Sequence, residues 1–244
     1  MPRFFVPSDN FDGSRVKITG DDSYHIARAL RMAVGDEITV ADMQGREHTC
    51  RLSRIRDEEC ECEILSTRVG RTESPIEITL YMGYPKGDKL ETVIQKAVEL
   101  GALKIIPFES SRCIKRPRQD KAEKQGARLS RIAEEAAKQC GRSRLPEVLP
   151  PVSFASAIEG AKASELRLFC YEGDGTVSLR TVLDGAKSAK SVSVIVGCEG
   201  GFSLEEAELA IAAGLTPVNL GPRILRCETA PTYILSAISY AFEL

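Results

Sequence analysis

The stretches Gly197-Cys198-Glu199-Gly200-Gly201-Phe202-Ser203 and Leu220-Gly221-Pro222-Arg223-Ile224-Leu225-Arg226-Cys227-Glu228-Thr229-Ala230 decide how this chain is read. Each follows an apolar run of strand type, residues 192–196 and 215–220, and each opens a segment with helical periodicity. Repeated strand, tight loop and helix is how open α/β sheets build ligand crevices at their strand ends, so the two loops are expected to wall one cofactor pocket. Ser203 and Glu206 form a Ser-x-x-Glu capping box, which places Gly200 and Gly201 just before a helix N-terminus. The last helix is expected to start near Thr229 or Ala230. Its apolar stripe, Ala230, Tyr233, Ile234, Ala237, Ile238 and Ala241, needs a partner.

Upstream of these loops the same alternation extends back to Pro75. Ile76, Ile78, Leu80 and Met82 alternate as a strand; Leu90, Val93, Ile94 and Ala97 follow at helical spacing, with Gly101 as the expected C-terminal cap. Strands are expected at 104–107 and 166–171, and a helix carries the stripe Leu129, Ile132, Ala133, Ala136 and Cys140. Helix-length sequence between successive strands implies a largely parallel sheet. Before Pro75 the pattern is different. Strand-like runs at 3–6, 15–18, 37–41, 47–56 and 59–68, broken by one helix at about 22–32, suggest a small closed or nearly closed barrel.

The 244 residues, 43% of them hydrophobic, suffice for one full core and a second small domain. No apolar run spans a bilayer and the N-terminus has no signal-peptide core, so a cytoplasmic protein is expected. The 8 cysteines are scattered without a Cys-x-x-Cys pair and read as reduced, mostly buried thiols. Cys60 and Cys62 share a strand face, but no histidine or third cysteine lies nearby, so no metal is expected. A net charge of -2 argues against a nonspecific coat for nucleic acid. It hides a basic strip, Arg112, Lys115, Arg116, Arg118, Lys121, Lys124, Arg128 and Arg131, opposed only by Asp120 and Glu123. Alone, such a strip reads equally well as a solvated helix face.

Glycines between a strand and a helix first suggest a phosphate cradle. Here no Lys-Ser or Lys-Thr follows them, Gly-x-Gly-x-x-Gly is absent, and Glu199 puts a carboxylate where an anion would bind. A cofactor held by backbone groups and carrying positive charge fits better, and S-adenosylmethionine is such a molecule. The two loops resemble the cofactor loops of the trefoil-knotted SPOUT RNA methyltransferases. Lys86-Gly87-Asp88-Lys89, Gln95-Lys96-Ala97-Val98-Glu99-Leu100-Gly101, Glu134-Glu135-Ala136-Ala137-Lys138-Gln139-Cys140-Gly141-Arg142 and Pro2-Arg3-Phe4-Phe5 resemble the RsmE family, which methylates uracil N3 in small-subunit ribosomal RNA. Three positions depart from the family pattern: Cys198 stands where proline is usual, Cys227 where threonine is common, and Leu129 where tryptophan is frequent.

The resemblance implies an α/β fold. Its C-terminal, mostly parallel sheet has helices on both faces and a trefoil knot, and is preceded by a small N-terminal β-barrel of PUA or OB type. It implies an RNA-binding domain at 1–70, a methyltransferase domain at 75–244, a homodimer, and ribosomal RNA or an assembled small subunit as the partner. The expected cofactor residues are Cys170, Tyr171, Glu172, Gly197, Glu199, Gly200, Gly201, Leu220, Gly221, Arg223, Ile224, Leu225, Arg226, Thr229 and Ala230. Arg3, Arg28, Arg31, Lys86, Lys89, Arg128, Arg131 and Arg142 are the expected RNA contacts.

For catalysis, a cation at O2 or O4 would stabilise the uracil anion, with Arg142 the first candidate and Arg226 the second. Both histidines, His25 and His48, fall in the barrel, which excludes a histidine base from the catalytic domain. The N3 proton would pass to Glu228, to Glu199 or to solvent, while Glu228 is equally suited to capping the last helix. If both loops wall one pocket, Cys198 and Cys227 could approach each other; two unrelated packing residues is the plainer reading. Two other readings compete: a nucleotide-binding enzyme using the glycine loop, and a noncatalytic RNA-binding factor built on the barrel.

Overall fold

A computed structural model of the chain describes residues 1–114 and 122–244. Lys115, Arg116, Arg118, Asp120 and Lys121 of the basic strip lie outside the described residues. The chain folds into two compact units. One comprises Met1–Glu73 and Ala137–Leu145, the other Ser74–Ala136 and Pro146–Leu244.

The first unit carries β1 (Arg3–Phe5), β2 (Phe11–Asp12), β3 (Arg15–Thr19), the short helix α1 (Asp21–Tyr24), β4 (Glu37–Ala41), β5 (Arg46–Arg54) and β6 (Glu59–Val69). They form one sheet in the order β1-β4-β5-β6-β3-β2, antiparallel except for the β1/β4 pair. Among the described residues the two end strands do not pair, so the hydrogen-bonded path stays open and the barrel is not closed. Alternation places Val16, Ile18, Ile38, Val40, Cys50, Leu52, Cys60 and Cys62 in one core with Phe4, Val6 and Ile26. Burial pushes the Cys50 and Cys62 thiols up to about 12, so they pack as neutral apolar groups. The helix expected at 22–32 is shorter. α1 runs into one π-helical turn, His25–Ala29, and Arg31 adopts a left-handed φ of 51°, which ends the helix before Met32.

The second unit contains β7 (Glu77–Gly83), α2 (Lys89–Glu99), β8 (Ala102–Glu109), most of α3 (Ala122–Cys140), β9 (Glu147–Val148), β10 (Val152–Ser153), α4 (Phe154–Ala161), β11 (Leu166–Cys170), β12 (Val177–Ser178), α5 (Leu179–Gly185), β13 (Ser191–Val196), α6 (Leu204–Ala212), β14 (Thr216–Asn219) and α7 (Thr229–Phe242). Its sheet is wholly parallel, in the order β10-β8-β7-β13-β11-β14-β12, with β9 beside β8. Tyr81, Ile106, Phe108, Phe169 and Ile195 pack with α4 and α6 in one cluster. Their strand neighbours Leu80, Met82, Ile105, Leu168, Val194 and Val196 point the other way and are buried as well, so both faces of the sheet are covered.

Local signals set the helix ends. The capping box at α6 is complete: the Glu206 amide donates to Ser203 Oγ at 3.2 Å, and the Ser203 amide donates to Glu206 Oε2 at 3.0 Å. Gly101, at φ 89°, follows α2 in the left-handed conformation that closes a helix. In α7, Ala230, Ile234 and Ile238 are buried, but Tyr233 of the expected stripe is 45% exposed; Pro231 and Leu235 take the inner positions. No helix among the described residues is long and apolar enough to cross a membrane.

Candidate functional site

β11 lies between β13 and β14, so the C-terminal ends of three adjacent parallel strands open at one edge of the sheet. Beyond β13 comes the glycine loop, beyond β14 the loop of residues 220–228, and beyond β11 the segment 171–173. Together they enclose a cavity of about 890 Å³, within the range of small-molecule sites. Every cofactor residue expected from the sequence lines this cavity except Thr229, which starts α7 beside it.

The glycine loop is held from several sides. Gly201, at φ 62°, donates its amide to the Cys198 carbonyl at 2.9 Å, closing a tight turn. Phe202 anchors the turn in an aromatic cluster with Phe108, Phe154 and Phe169. Arg112 donates to the Gly200 carbonyl at 3.1 Å. The second loop closes onto α7 through Thr229 and Ala230 amides donating to the Arg226 carbonyl at 2.8 and 2.9 Å.

One side chain ties the loops together. Lys89, at the start of α2, lies 3.1 Å from Glu199 Oε1 and 3.2 Å from Glu228 Oε2, one carboxylate from each loop. The Lys86 amide also donates to Glu199 at 3.1 Å. Hydrogen bonds from Lys89 to Glu199 and then to Glu228 raise the lysine pKa. Burial acts to raise the Glu199 pKa, but its own amide, the Lys86 amide and Lys89 outweigh it and hold the carboxyl below its ordinary range. Glu228 is also held low, first by its own amide. Glu228 is the N-cap residue of α7, yet its side chain makes no capping bond and instead meets Lys89 and the Cys227 thiol. Lys89 appeared in the sequence only as an RNA contact, and nothing local signals its place between two loops over a hundred residues away.

The catalytic candidates separate. Arg226 lines the cavity, is exposed, and makes no ion pair among the described residues. Arg142 is 3% exposed in the first unit and does not line the cavity. It donates through Nε and Nη2 to Glu73 at 3.0 and 2.6 Å, and Glu73 also accepts the amides of Ser143 and Arg144. Its guanidinium would reach a substrate oxygen only by giving up that pair. Cys198 and Cys227 point to different surroundings: Cys198 to Ser110 and Cys113, Cys227 to Lys89 and Glu228.

Among the RNA candidates, Arg28, Arg128 and Arg131 are exposed and paired with Asp57, Glu91 and Glu135. Such surface pairs are weak enough to be exchanged for phosphate. Arg31 and Lys86 are exposed, whereas Arg3 is largely buried against Glu47 and the Arg142 carbonyl. Lys138, further along α3, pairs with Asp22 at 2.7 Å and lies over the Phe4 ring.

Residues 72–239 match the family model of an RNA methyltransferase domain, and residues 18–65 that of an RNA methyltransferase PUA domain. Ribosomal RNA small subunit methyltransferase E of Bacillus subtilis (strain 168) is 36% identical over 251 residues, covering 100% of this chain and 98% of the relative. The chain belongs to this methyltransferase family. The Synechocystis member is 33% identical over 99% of this chain and 78% of its own length. Among solved structures, the small subunit methyltransferase E of Neisseria gonorrhoeae bound to S-adenosyl methionine matches at 34% identity and a TM-score of 0.86, covering 98% and 97% of the two chains. A Legionella pneumophila methyltransferase with SAM bound matches at 31% identity and a TM-score of 0.87, with the same coverage. Family membership sets aside both the nucleotide-binding enzyme and the noncatalytic RNA-binding factor.

Proposed function

We propose that the chain transfers a methyl group from S-adenosylmethionine to N3 of a uridine in small-subunit ribosomal RNA, in the cytoplasm, as a homodimer. The observation that carries the proposal is the cavity at the C-terminal ends of β11, β13 and β14, walled by two loops whose carboxylates are tied to one lysine. Its residues fit the cofactor. The two loops offer backbone donors and acceptors to an adenine edge, Val218, Ile224 and Leu225 offer apolar cover, and Glu172 can accept hydrogen bonds from ribose hydroxyls. Glu199, Glu228 and Lys89 together carry one net negative charge, which suits a sulfonium beside them, while Arg112, Arg223 and Arg226 elsewhere on the wall can meet the carboxylate of the cofactor or the substrate. When bound, S-adenosylmethionine supplies a methyl group activated by a sulfonium. The family resemblance further supports threading of α7 through a trefoil knot and RNA binding by residues 1–70.

Uracil N3 is a Watson-Crick edge atom, so the target base must be unpaired when it enters. Positioning N3 in line with the methyl group is the larger part of the work. As N3 loses its proton, negative charge spreads to O2 and O4, and we assign Arg226, exposed on the cavity wall, to meet it. Glu199 and Glu228 are poor proton acceptors, being held below the ordinary carboxylate range and engaged on Lys89, so solvent takes the N3 proton. Arg226→Ala is therefore expected to lower kcat about 100-fold while changing cofactor affinity only a few-fold, and Arg226→Lys to recover part of the loss. Steady-state kinetics with a calorimetric cofactor titration separates the two effects. A loss of cofactor affinity with kcat unchanged would make Arg226 a binding residue only.

Lys89→Met leaves two carboxylates facing each other without their shared cation. Their repulsion releases the two loops from each other, and this loss of the preformed wall outweighs the added negative charge, so the expected result is an S-adenosylmethionine affinity lower by roughly five-fold, with the native fold retained. The same tie makes a pH prediction. Both carboxyls have depressed values in the folded protein, so the contact is complete above about pH 4.5 and is lost as pH falls through their lower folded values. The proposed ligand is tested by thermal shift: S-adenosylmethionine and S-adenosylhomocysteine should raise Tm, and ATP and NADH should not. Stabilisation by ATP or NADH alone would overturn the cofactor assignment.

A further inference from the structure

The turn after β8 brings a second cysteine to the glycine loop. Cys113 Sγ lies 3.3 Å from Ser110 Oγ and accepts the Ser110 amide at 3.4 Å. The same Ser110 Oγ lies 4.0 Å from Cys198 Sγ, so one hydroxyl touches both thiols. Both backbones are fixed. The Ser111 amide donates to Glu206 at 2.6 Å, Arg112 donates to the Gly200 carbonyl at 3.1 Å, and the Cys198 amide packs against Gly83. Two sulfurs distant in sequence are thus held against one hydroxyl, and Cys198 lines the cavity through which a small oxidant can enter.

We propose that Cys113 and Cys198 form a peroxide-oxidisable dithiol that closes reversibly into a disulfide at the cavity wall. The chemistry of the pair is asymmetric. The neighbouring Cys198 thiol and the Ser110 groups pull the Cys113 pKa down, while Cys113 and burial push Cys198 up. Cys62, Cys170 and Cys227 are instead pushed up to about 12, chiefly by burial. Cys113 is therefore the attacking thiolate. It takes one oxygen of hydrogen peroxide as the O–O bond breaks, giving a Cys113 sulfenic acid and hydroxide. Cys198 passes its proton to that hydroxide and attacks the sulfenic sulfur; the S–S bond forms, the S–O bond breaks, and hydroxide leaves to collect the original thiol proton as water. Two thiols and one peroxide become one disulfide and two waters. The bond fastens the turn after β8 to the loop that walls the cavity.

The test uses the reduced full chain treated with hydrogen peroxide, quenched with an alkylating agent and mapped without reductant. The expected product is a cross-linked pair of peptides containing Cys113 and Cys198. It should form about ten-fold or more faster than oxidation at any other cysteine and vanish with dithiothreitol. In Cys198→Ser, dimedone should trap the sulfenic acid on Cys113; in Cys113→Ser, Cys198 should stay reduced. A different pair cross-linking first, or all 8 thiols remaining alkylatable after peroxide, would overturn the proposal. The wild-type map decides the matter even if a variant fails to fold.

Discussion

Gly83→Ala is expected to leave the chain folded but to weaken S-adenosylmethionine binding by about ten-fold or more, because the added methyl group displaces the glycine loop. Gly83 ends β7, and a Cβ there would lie 2.4 Å from the Cys198 nitrogen, 2.9 Å from the Gly197 carbonyl carbon and 3.2 Å from Gly197 Cα. All three are backbone atoms, so no side-chain rotation relieves the clash. The loop cannot move freely either, with Phe202 fixed among aromatic rings and Arg112 bonded to the Gly200 carbonyl. Overpacking of this kind costs about 1–3 kcal/mol, which for a chain this long lowers Tm by roughly 2–10 °C. Gly126→Ala is the internal control. Among the described residues nothing lies within 4 Å of a Cβ at Gly126, which is inside α3, so replacing this helical glycine should stabilise by about 0.5–1 kcal/mol and leave cofactor affinity unchanged. Calorimetric titration and thermal melts of the two variants, side by side, check both expectations. Unchanged cofactor affinity in Gly83→Ala would mean that the glycine loop does not form the binding wall.

The second large effect concerns stability. Glu73→Ala removes the carboxylate that pairs with the buried Arg142 guanidinium and accepts the Ser143 and Arg144 amides. Removing one partner of a buried ion pair costs about 3–5 kcal/mol, so Tm should fall by roughly 10 °C. The pair also sets a pH dependence. Burial acts to raise the Glu73 pKa, but the hydrogen bonds and charge of Arg142, with the two amides, bring it below the ordinary value. Its contribution is present at neutral pH and is lost as the solution is acidified below about pH 4.5 and through the lower folded value. Melts of wild type and variant between neutral and acidic pH should converge at the acidic end. A Glu73→Ala protein as stable as wild type at neutral pH would show that the pair is not needed for folding.

The site was most legible where its chemistry is local in sequence. Ser203 and Glu206 are three residues apart, and their reciprocal bonds follow from that spacing alone. Gly200 and Gly201 then fall before α6 wherever the rest of the chain goes. The two loops were legible as walls of one cavity because parallel strands separated by helices must open at the same edge. Lys89 was not, since its partners Glu199 and Glu228 reach it only after β7, β13 and the second loop are assembled. The pairing of Arg142 was not legible for a related reason. A basic residue in an RNA enzyme reads as a substrate contact, and only packing shows that Glu73 has claimed it. The early helix failed locally: periodicity extends to Met32, but the left-handed conformation at Arg31 cuts it short. Tyr233 fitted an apolar stripe whose centre lies one position away, on Ile234 and Leu235.

The most direct test of the central claim is transfer of labelled methyl groups from S-adenosylmethionine to undermethylated small ribosomal subunits and to the deproteinised RNA, followed by nucleoside analysis. The account predicts label in N3-methyluridine, abolished when the target uridine is paired, and the better of the two substrates identifies whether assembly precedes methylation. Label in any other nucleoside, or no transfer to either substrate by protein that binds the cofactor, would contradict it.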